Sequence, residues 1–245
     1  MATPKYLVIG PGAMGFFCFM GHISRMDLSR VEAVSGSSAG ALLALLWVMC
    51  EGNIPEMLQL ALDVPIENLM KPNIKNFLTN FGLVPLGRIR KEISKIFFKK
   101  FKIRDLTFAH LFERRPVTLH ISAFCTDLGQ TTYFSHESHP DQSILDVLCA
   151  SIAVPLLFST VKIGEWRYVD GGFQEALPAL PFIAKPKHEV TAICIDYGTL
   201  ESCSTFGGYM QNIFSIFLRL RHVYDVPKYV IDAQDVDIFD FGADR

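Results

Sequence analysis

The sequence predicts an α/β fold on a mainly parallel sheet, and two observations carry that expectation. A strand–turn–helix unit occurs twice within the first fifty residues, which implies parallel strands joined by right-handed crossovers. Both turns are glycine-rich and fall at the carboxyl ends of neighbouring strands, where open α/β sheets place their chemistry. A length of 245 residues fits one such domain over 1–245, large enough to bury its core without metals or disulfides.

The elements follow in order. Lys5–Ile9 is a short apolar strand that stops at glycines, and a helix runs from Phe16 to Met26. Val31–Ser35 is a second strand, followed by a helix over Ala39–Cys50. Between Pro55 and Pro85 the pattern is irregular, with prolines at 65, 72 and 85, and reads as short helices and loops forming a cap. Residues 86–101 and 105–113 read as helices; Val117–Phe124 and Thr131–Phe134 are strands joined at Asp127–Gly129. Ser143 with Asp146 makes a capping box for a helix that ends before Pro155. Trp166–Val169 and Val190–Ile195 are strands, and 205–221 is a long apolar helix. There are no repeats, low-complexity tracts or clear linkers.

Half of the residues are hydrophobic, yet no stretch reaches the roughly 20 apolar residues of a membrane-spanning helix. Met1–Met20 faintly imitates a signal peptide, but Gly10-Pro11-Gly12 interrupts its apolar run and no cleavage site follows. No lipidation signal is present. Six cysteines form no CxxC pair and mostly sit in apolar runs, which points to structural thiols. A soluble, cytoplasmic protein is expected.

Gly36-Ser37-Ser38-Ala39-Gly40 matches G-x-S-x-G between a strand and a helix, the setting of a nucleophile elbow. There a tight turn strains the serine backbone and aims its hydroxyl from a helix N-terminus. Gly10-Pro11-Gly12-Ala13-Met14-Gly15 has two readings. It fits the dinucleotide fingerprint G-x-G-x-x-G of a reductase, but that needs an acid closing the second strand, and Glu32 lies at its start. The preferred reading is an oxyanion loop whose Gly12 and Ala13 amides point at a tetrahedral intermediate beside Ser38.

The serine needs a base. Of seven histidines, only His188 and His222 follow Asp170 in Ser…Asp…His order, and neither sits at a tight turn after a strand. His120 reads as a core or edge residue, and His136 and His139 as solvated loop residues. Asp170 ends a strand and precedes two glycines, so its carboxylate sits where another loop can approach. A hairpin turn is the bland alternative. Burial beside the elbow would raise the basicity of Asp170, making a direct Ser38–Asp170 dyad workable.

Together these motifs resemble the patatin-like phospholipases: a glycine-rich loop at Gly10–Gly15, G-x-S-x-G at Gly36–Gly40, and D-G-G at Asp170–Gly172. Cys125-Thr-Asp-Leu128 and Ala150-Ser-Ile-Ala-Val-Pro155 are similar to further family segments, in the same order over about residues 5–200. The resemblance implies a three-layer α/β/α fold, a Ser38/Asp170 dyad, an oxyanion hole from Gly12, Ala13 and Ala39, and hydrolysis of phospholipid or other glycerolipid acyl esters. It implies no metal and no cofactor. Two departures stand out: Pro11 replaces a glycine and so removes an N–H, and Met14 occupies the place of a basic residue. A catalytically weak lipid-binding module is therefore the alternative.

Residues 86–104 hold eight basic side chains against Glu92, while the whole chain has a net charge of −2. Arg88, Lys91, Lys95, Lys99 and Lys102 share one face of the helix, opposite Ile89, Ile93, Ile96, Phe97 and Ile103. This is either a solvated surface or a transient contact with an anionic membrane, making the protein peripheral there. No aromatic platform accompanies the charge, so no nucleic-acid partner is expected. The helix 205–221 either lines an acyl channel or belongs to the core.

Overall fold

The computed structural model describes residues 3–196 and 224–233, with Gly198 and Asn212. The two opening units are β1 (Tyr6–Ile9) to α1 (Phe16–Ile23) and β2 (Ala33–Ser37) to α2 (Ala39–Met49), with a 3-10 turn at Ala13–Gly15 before α1. β2 extends two residues past the expected end, so the strand runs to the edge of the serine turn. α2 is apolar on every side, and ten of its eleven residues are buried. The expected cap comprises α3 (Ile54–Leu62), α4 (Ile66–Leu69), α5 (Ile74–Asn80) and β3 (Gly82–Val84), followed by α6 (Gly87–Phe101). Asn53 and Asn73 cap α3 and α5 by accepting the N–H groups of Glu56 and Asn76.

The chain continues through α7 (Phe108–Arg114), β4 (Thr118–Cys125), β5 (Gln130–Phe134) and α8 (Ile144–Ser151). It then forms β6 (Leu156–Phe158), β7 (Val161–Ile163), β8 (Trp166–Asp170), β9 (Val190–Asp196) and β10 (Lys228–Asp232). The main sheet has the order β10-β9-β1-β2-β4-β8-β7, with β5 also on β4. β10, β9, β1, β2 and β4 are parallel neighbours, and the pairings of β5, β7 and β8 are antiparallel. β3 and β6 form a separate two-stranded parallel sheet in the cap. The α/β expectation thus holds, with a mostly parallel central sheet flanked by helices. One face carries α2, α6 and α8 over a buried cluster from Leu7 to Ile193. The other is covered among the described residues by Leu177–Phe182. The helix expected over 205–221 lies outside the described residues, apart from Asn212.

β4 organises the centre. Ile121 and Ser122 pair with both β2 and β5, so those strands lie on opposite edges. Ala123–Cys125 pair with both β5 and β8, which puts β8 on the same edge as β2. β2 therefore occupies that edge up to Ser37↔Ser122, and β8 takes it over at Asp170↔Ala123. The last residues of β2 and β8 meet.

Ser143 caps α8 as the capping box predicts, accepting the Asp146 N–H at 3.2 Å, while its hydroxyl also reaches the Asp105 carboxylate at 2.9 Å. Arg90 joins both acids at 3.2 and 3.0 Å. Ser143→Ala should therefore lower unfolding free energy by about 1 kcal/mol or somewhat more in urea titration. An unchanged midpoint would show that the cap contributes nothing.

Candidate active site

Ser38 sits between β2 and α2 with φ 55° and ψ −126°, a region that side chains avoid. The turn closes tightly enough to need glycine on both sides. A β-carbon at Gly36 would stand 2.5 Å from the Gly40 carbonyl oxygen, and one at Gly40 would collide with the Gly10 and Ile9 carbonyls of the neighbouring loop. Ser38 is 7% exposed. Its carbonyl accepts from Ala41 and Leu42 as the first turn of α2 forms. Ala39 is the first residue of α2, so its N–H has no acceptor within the helix.

Asp170 ends β8 with 5% exposure. Its Oδ1 accepts the Gly172 N–H at 2.8 Å, whereas Oδ2 is buried without a hydrogen-bond partner among the described residues. Burial drives the carboxyl pKa from 3.8 up to about 7, against the opposing pull of the Ser38 hydroxyl and the Gly172 amide. The hydroxyl is thus near enough to act on the acid, while the pair falls short of regular hydrogen-bond geometry in this resting arrangement.

The two residues share a support that the sequence did not single out. Ser151, the last residue of α8, accepts the Ser38 N–H on its hydroxyl at 3.0 Å. Two residues on, the Ala153 carbonyl accepts the Asp170 N–H at 3.0 Å. In the sequence, Ala150–Pro155 offers only a family-like string, with a serine at the end of an apolar helix as its one physical signal. Beyond the glycines, the Gln174 carboxamide oxygen accepts from the Thr131 N–H and hydroxyl, and Glu175 pairs with the Tyr133 hydroxyl, so the segment after Gly172 is tied to β5.

The glycine-rich loop lies against this pair. The Pro11 ring packs on Gly172, where a β-carbon would meet it at 2.9 Å. Ala13 adopts a left-handed φ of 35°, and the Gly15 N–H closes a turn onto the Gly12 carbonyl at 2.6 Å. Ala13 and Ala39 line the same cavity as Ser38, whereas Gly12 stands behind them with its α-carbon turned toward Phe19 and Ile195. Met14 also lines the cavity, so the residue in place of a basic side chain adds apolar wall.

That cavity holds about 210 Å³. It follows α2 from Ser38 through Leu42 and Leu46 to Met49, a span of about 16 Å at the helical rise. Ile89, Ile93 and Phe97 of α6 also line it, and no charged side chain does so among the described residues. The apolar face of α6 is thereby used inside the protein. On its basic face, Lys95 pairs with Glu92 and Lys99 with Asp63, both at 2.7 Å. Lys102 lies over the Phe98 ring, while Arg88 and Lys91 are exposed.

The histidines separate from this site. His188 lies in a turn just before β9, at the end of the sheet away from Ser38. His120 faces Phe182 within β4, and burial lowers its pKa to about 4. His136 corrects the solvated reading: its ring stacks on Phe112 at 3.7 Å and its Nδ1 is buried. His139 packs partly on Phe134 and is likewise less solvated than expected. His222 lies outside the described residues. Glu32 precedes β2 and salt-bridges Lys5, so no acid closes that strand for a nucleotide ribose. Among the described residues no His, Cys, Asp and Glu cluster could hold a metal ion, and no helix is long and apolar enough to cross a membrane.

Residues 7–183 match the family model of patatin-like phospholipases. The chain is 26% identical over 241 residues to the probable lipid hydrolase 463L of Invertebrate iridescent virus 6, covering 91% of this chain and 80% of that protein. VipD from Legionella pneumophila superposes with a TM-score of 0.60 at 17% identity, over 83% of this chain and 51% of VipD. The type III effector ExoU gives 0.42 at 16% identity, covering 80% and 43%. The chain thus spans about half the length of these two structures. The chain belongs to the patatin-like phospholipase family, a family of lipid acyl hydrolases.

Proposed function

We propose that the protein hydrolyses fatty-acyl esters of phospholipids or other glycerolipids through a Ser38–Asp170 dyad. The observation that carries this reading is a buried carboxylate with pKa about 7 and an unpartnered oxygen, set beside a strained serine at the mouth of an apolar cavity. In the forward step Ser38 Oγ attacks the ester carbonyl and its proton passes to Asp170. The Ala39 and Ala13 amides, with Gly12, stabilise the oxyanion. Collapse expels the alcohol, which takes the proton back from Asp170, and the acyl chain stays in the cavity as an ester of Ser38. Water then gives its proton to Asp170 and attacks the acyl carbon; return of the proton to Ser38 frees the fatty acid.

One domain over 1–245 goes with this reading, supported by the continuous buried cluster. Cytoplasmic residence is supported by the five described cysteines, all free, with burial pushing Cys50 and Cys149 up to about 11 and 12. A catalytically weak lipid-binding module is the second reading. Pro11, which cannot donate to the oxyanion, favours it.

Ser38→Ala and Asp170→Asn should each lower release of fatty acid from phospholipid by at least about a thousandfold. Activity retained in Ser38→Ala would exclude the dyad, and no release by wild type would favour the binding module. The folded protein holds the Asp170 proton more tightly than the unfolded chain, so stability is lost as pH rises from about 4 through about 7. Asp170→Asn should therefore be more stable than wild type at pH 8 in thermal melts, with the gap closing toward pH 4. Ala61 lines the cavity, so Ala61→Phe should lower kcat/KM for long-chain esters roughly tenfold relative to butyrate esters. Equal effects on both would place the acyl chain elsewhere.

A further inference from the structure

We infer that the cap docks on a lipid bilayer through α5 and the start of β6, and not through the basic face of α6. The inference rests on the lipid-hydrolase reading, because the same cap forms the wall of the acyl cavity.

α5 is turned inside out. Ile74, Leu78 and Phe81 follow helical spacing along one face and are 75%, 74% and 52% exposed. The polar Asn76 points inward, where its amide donates to the Gly82 carbonyl at 2.5 Å and the Ser159 hydroxyl at 2.8 Å. A water-facing helix places these residue types the other way round. A contiguous apolar face of this kind favours an apolar partner.

Backbone strain marks the same patch. Phe81 has φ 61° and Leu156 has φ 68°, the left-handed region that large side chains avoid. The two are neighbours, because Leu156 pairs with Gly82 across β3 and β6. Both hold a large apolar side chain in solvent, Leu156 with 55% exposure. Strain kept at an exposed apolar tip points to a use there.

Charge and continuity identify the occupant. Residues 68–91 and 154–164 contain no Asp or Glu. Lys71 and Lys75 are exposed beside the patch, and the Arg167 guanidinium lies 5.2 Å from the Phe81 ring centre. An apolar tip ringed by cations fits the headgroup boundary of an anionic bilayer. Leu69, Met70, Leu157 and Phe158, on the other side of the same small unit, line the cavity that reaches Ser38. The patch and the cavity wall are thus two sides of one cap unit. On α6, by contrast, Lys95 and Lys99 are occupied by Glu92 and Asp63.

The test uses the full chain carrying Ser38→Ala, so that vesicles are not consumed, and measures partitioning onto phosphatidylcholine vesicles with and without phosphatidylserine. The Ser38→Ala parent should bind, more tightly with phosphatidylserine. Ile74→Ser with Leu78→Ser should weaken binding by about tenfold or more, since each residue would bury its side chain in lipid. Phe81→Asn, a residue that tolerates the left-handed backbone, should also weaken binding while keeping or raising the thermal midpoint. With Ser38 restored, these variants should cleave a soluble short-chain ester at the wild-type rate but vesicle phospholipid more slowly. Unchanged partitioning would overturn the inference. So would partitioning lost instead on Arg88→Gln with Lys91→Gln, the exposed cations of α6, or a variant that only abolishes self-association, which would assign the face to a second copy of the chain. Failure of wild type to cleave the soluble ester would remove the hydrolase reading and leave the vesicle result to decide the docking face.

Discussion

A strand inside a sheet has two edges, and β4 divides one of them between β2 and β8. Because β5 holds the opposite edge over Ile121–Cys125, β8 can pair only where β2 has ended. That constraint brings residues 38 and 170 together from 132 positions apart. α8 then secures both ends, with Ser151 on the Ser38 amide and the Ala153 carbonyl on the Asp170 amide. Loops alone, with few fixed hydrogen bonds, would leave such a pair free to drift. Here the backbone of each partner is held by the same short segment.

The site works against the stability of the fold. Asp170 would be an ordinary carboxylate in water, and burial without a cation makes its charged form unfavourable. Ser38 and Ala13 both occupy backbone conformations that side chains avoid. These features coincide around one small volume, while the surrounding cluster from Leu7 to Ile193 is buried and apolar. A carboxyl with pKa about 7 would suit the proposed role of base near neutral pH, because it is substantially ionised there yet basic enough to take a serine proton. The apolar cavity along α2 is consistent with the proposed chemistry, since its lining among the described residues is uncharged and would suit an acyl chain.

Much of this is legible in the amino-acid sequence. The three small-residue turns at strand ends marked Gly10–Gly15, Ser38 and Asp170, because a turn at a strand's carboxyl end has a local signature. The elbow, the capping box at Ser143 and the apolar α2 are likewise local. What escaped is what depends on partners far away in sequence. β3, β6 and β7 are three residues each, too short for a period to show, and β3 and β6 exist through their pairing with each other. Ser151 looked like any small residue at a helix end until the Ser38 amide was placed beside it. The basic stripe of α6 was visible, but the pairing of its Lys99 with Asp63, and the use of Ile93 and Phe97 to wall a cavity, required the tertiary arrangement. The exposed stripe of α5 was hidden for the opposite reason: apolar residues at helical spacing normally face inward.

The most direct measurement is the rate of Ser38 phosphonylation by a fluorophosphonate as a function of pH, with the labelled residue mapped by peptide mass spectrometry. If Asp170 is the buried base, the wild-type rate rises through an ionisation near pH 7, the label is on Ser38, and Asp170→Asn reacts far more slowly without that ionisation. The same rate and the same pH profile in Asp170→Asn would contradict the pairing of this hydroxyl with this carboxylate.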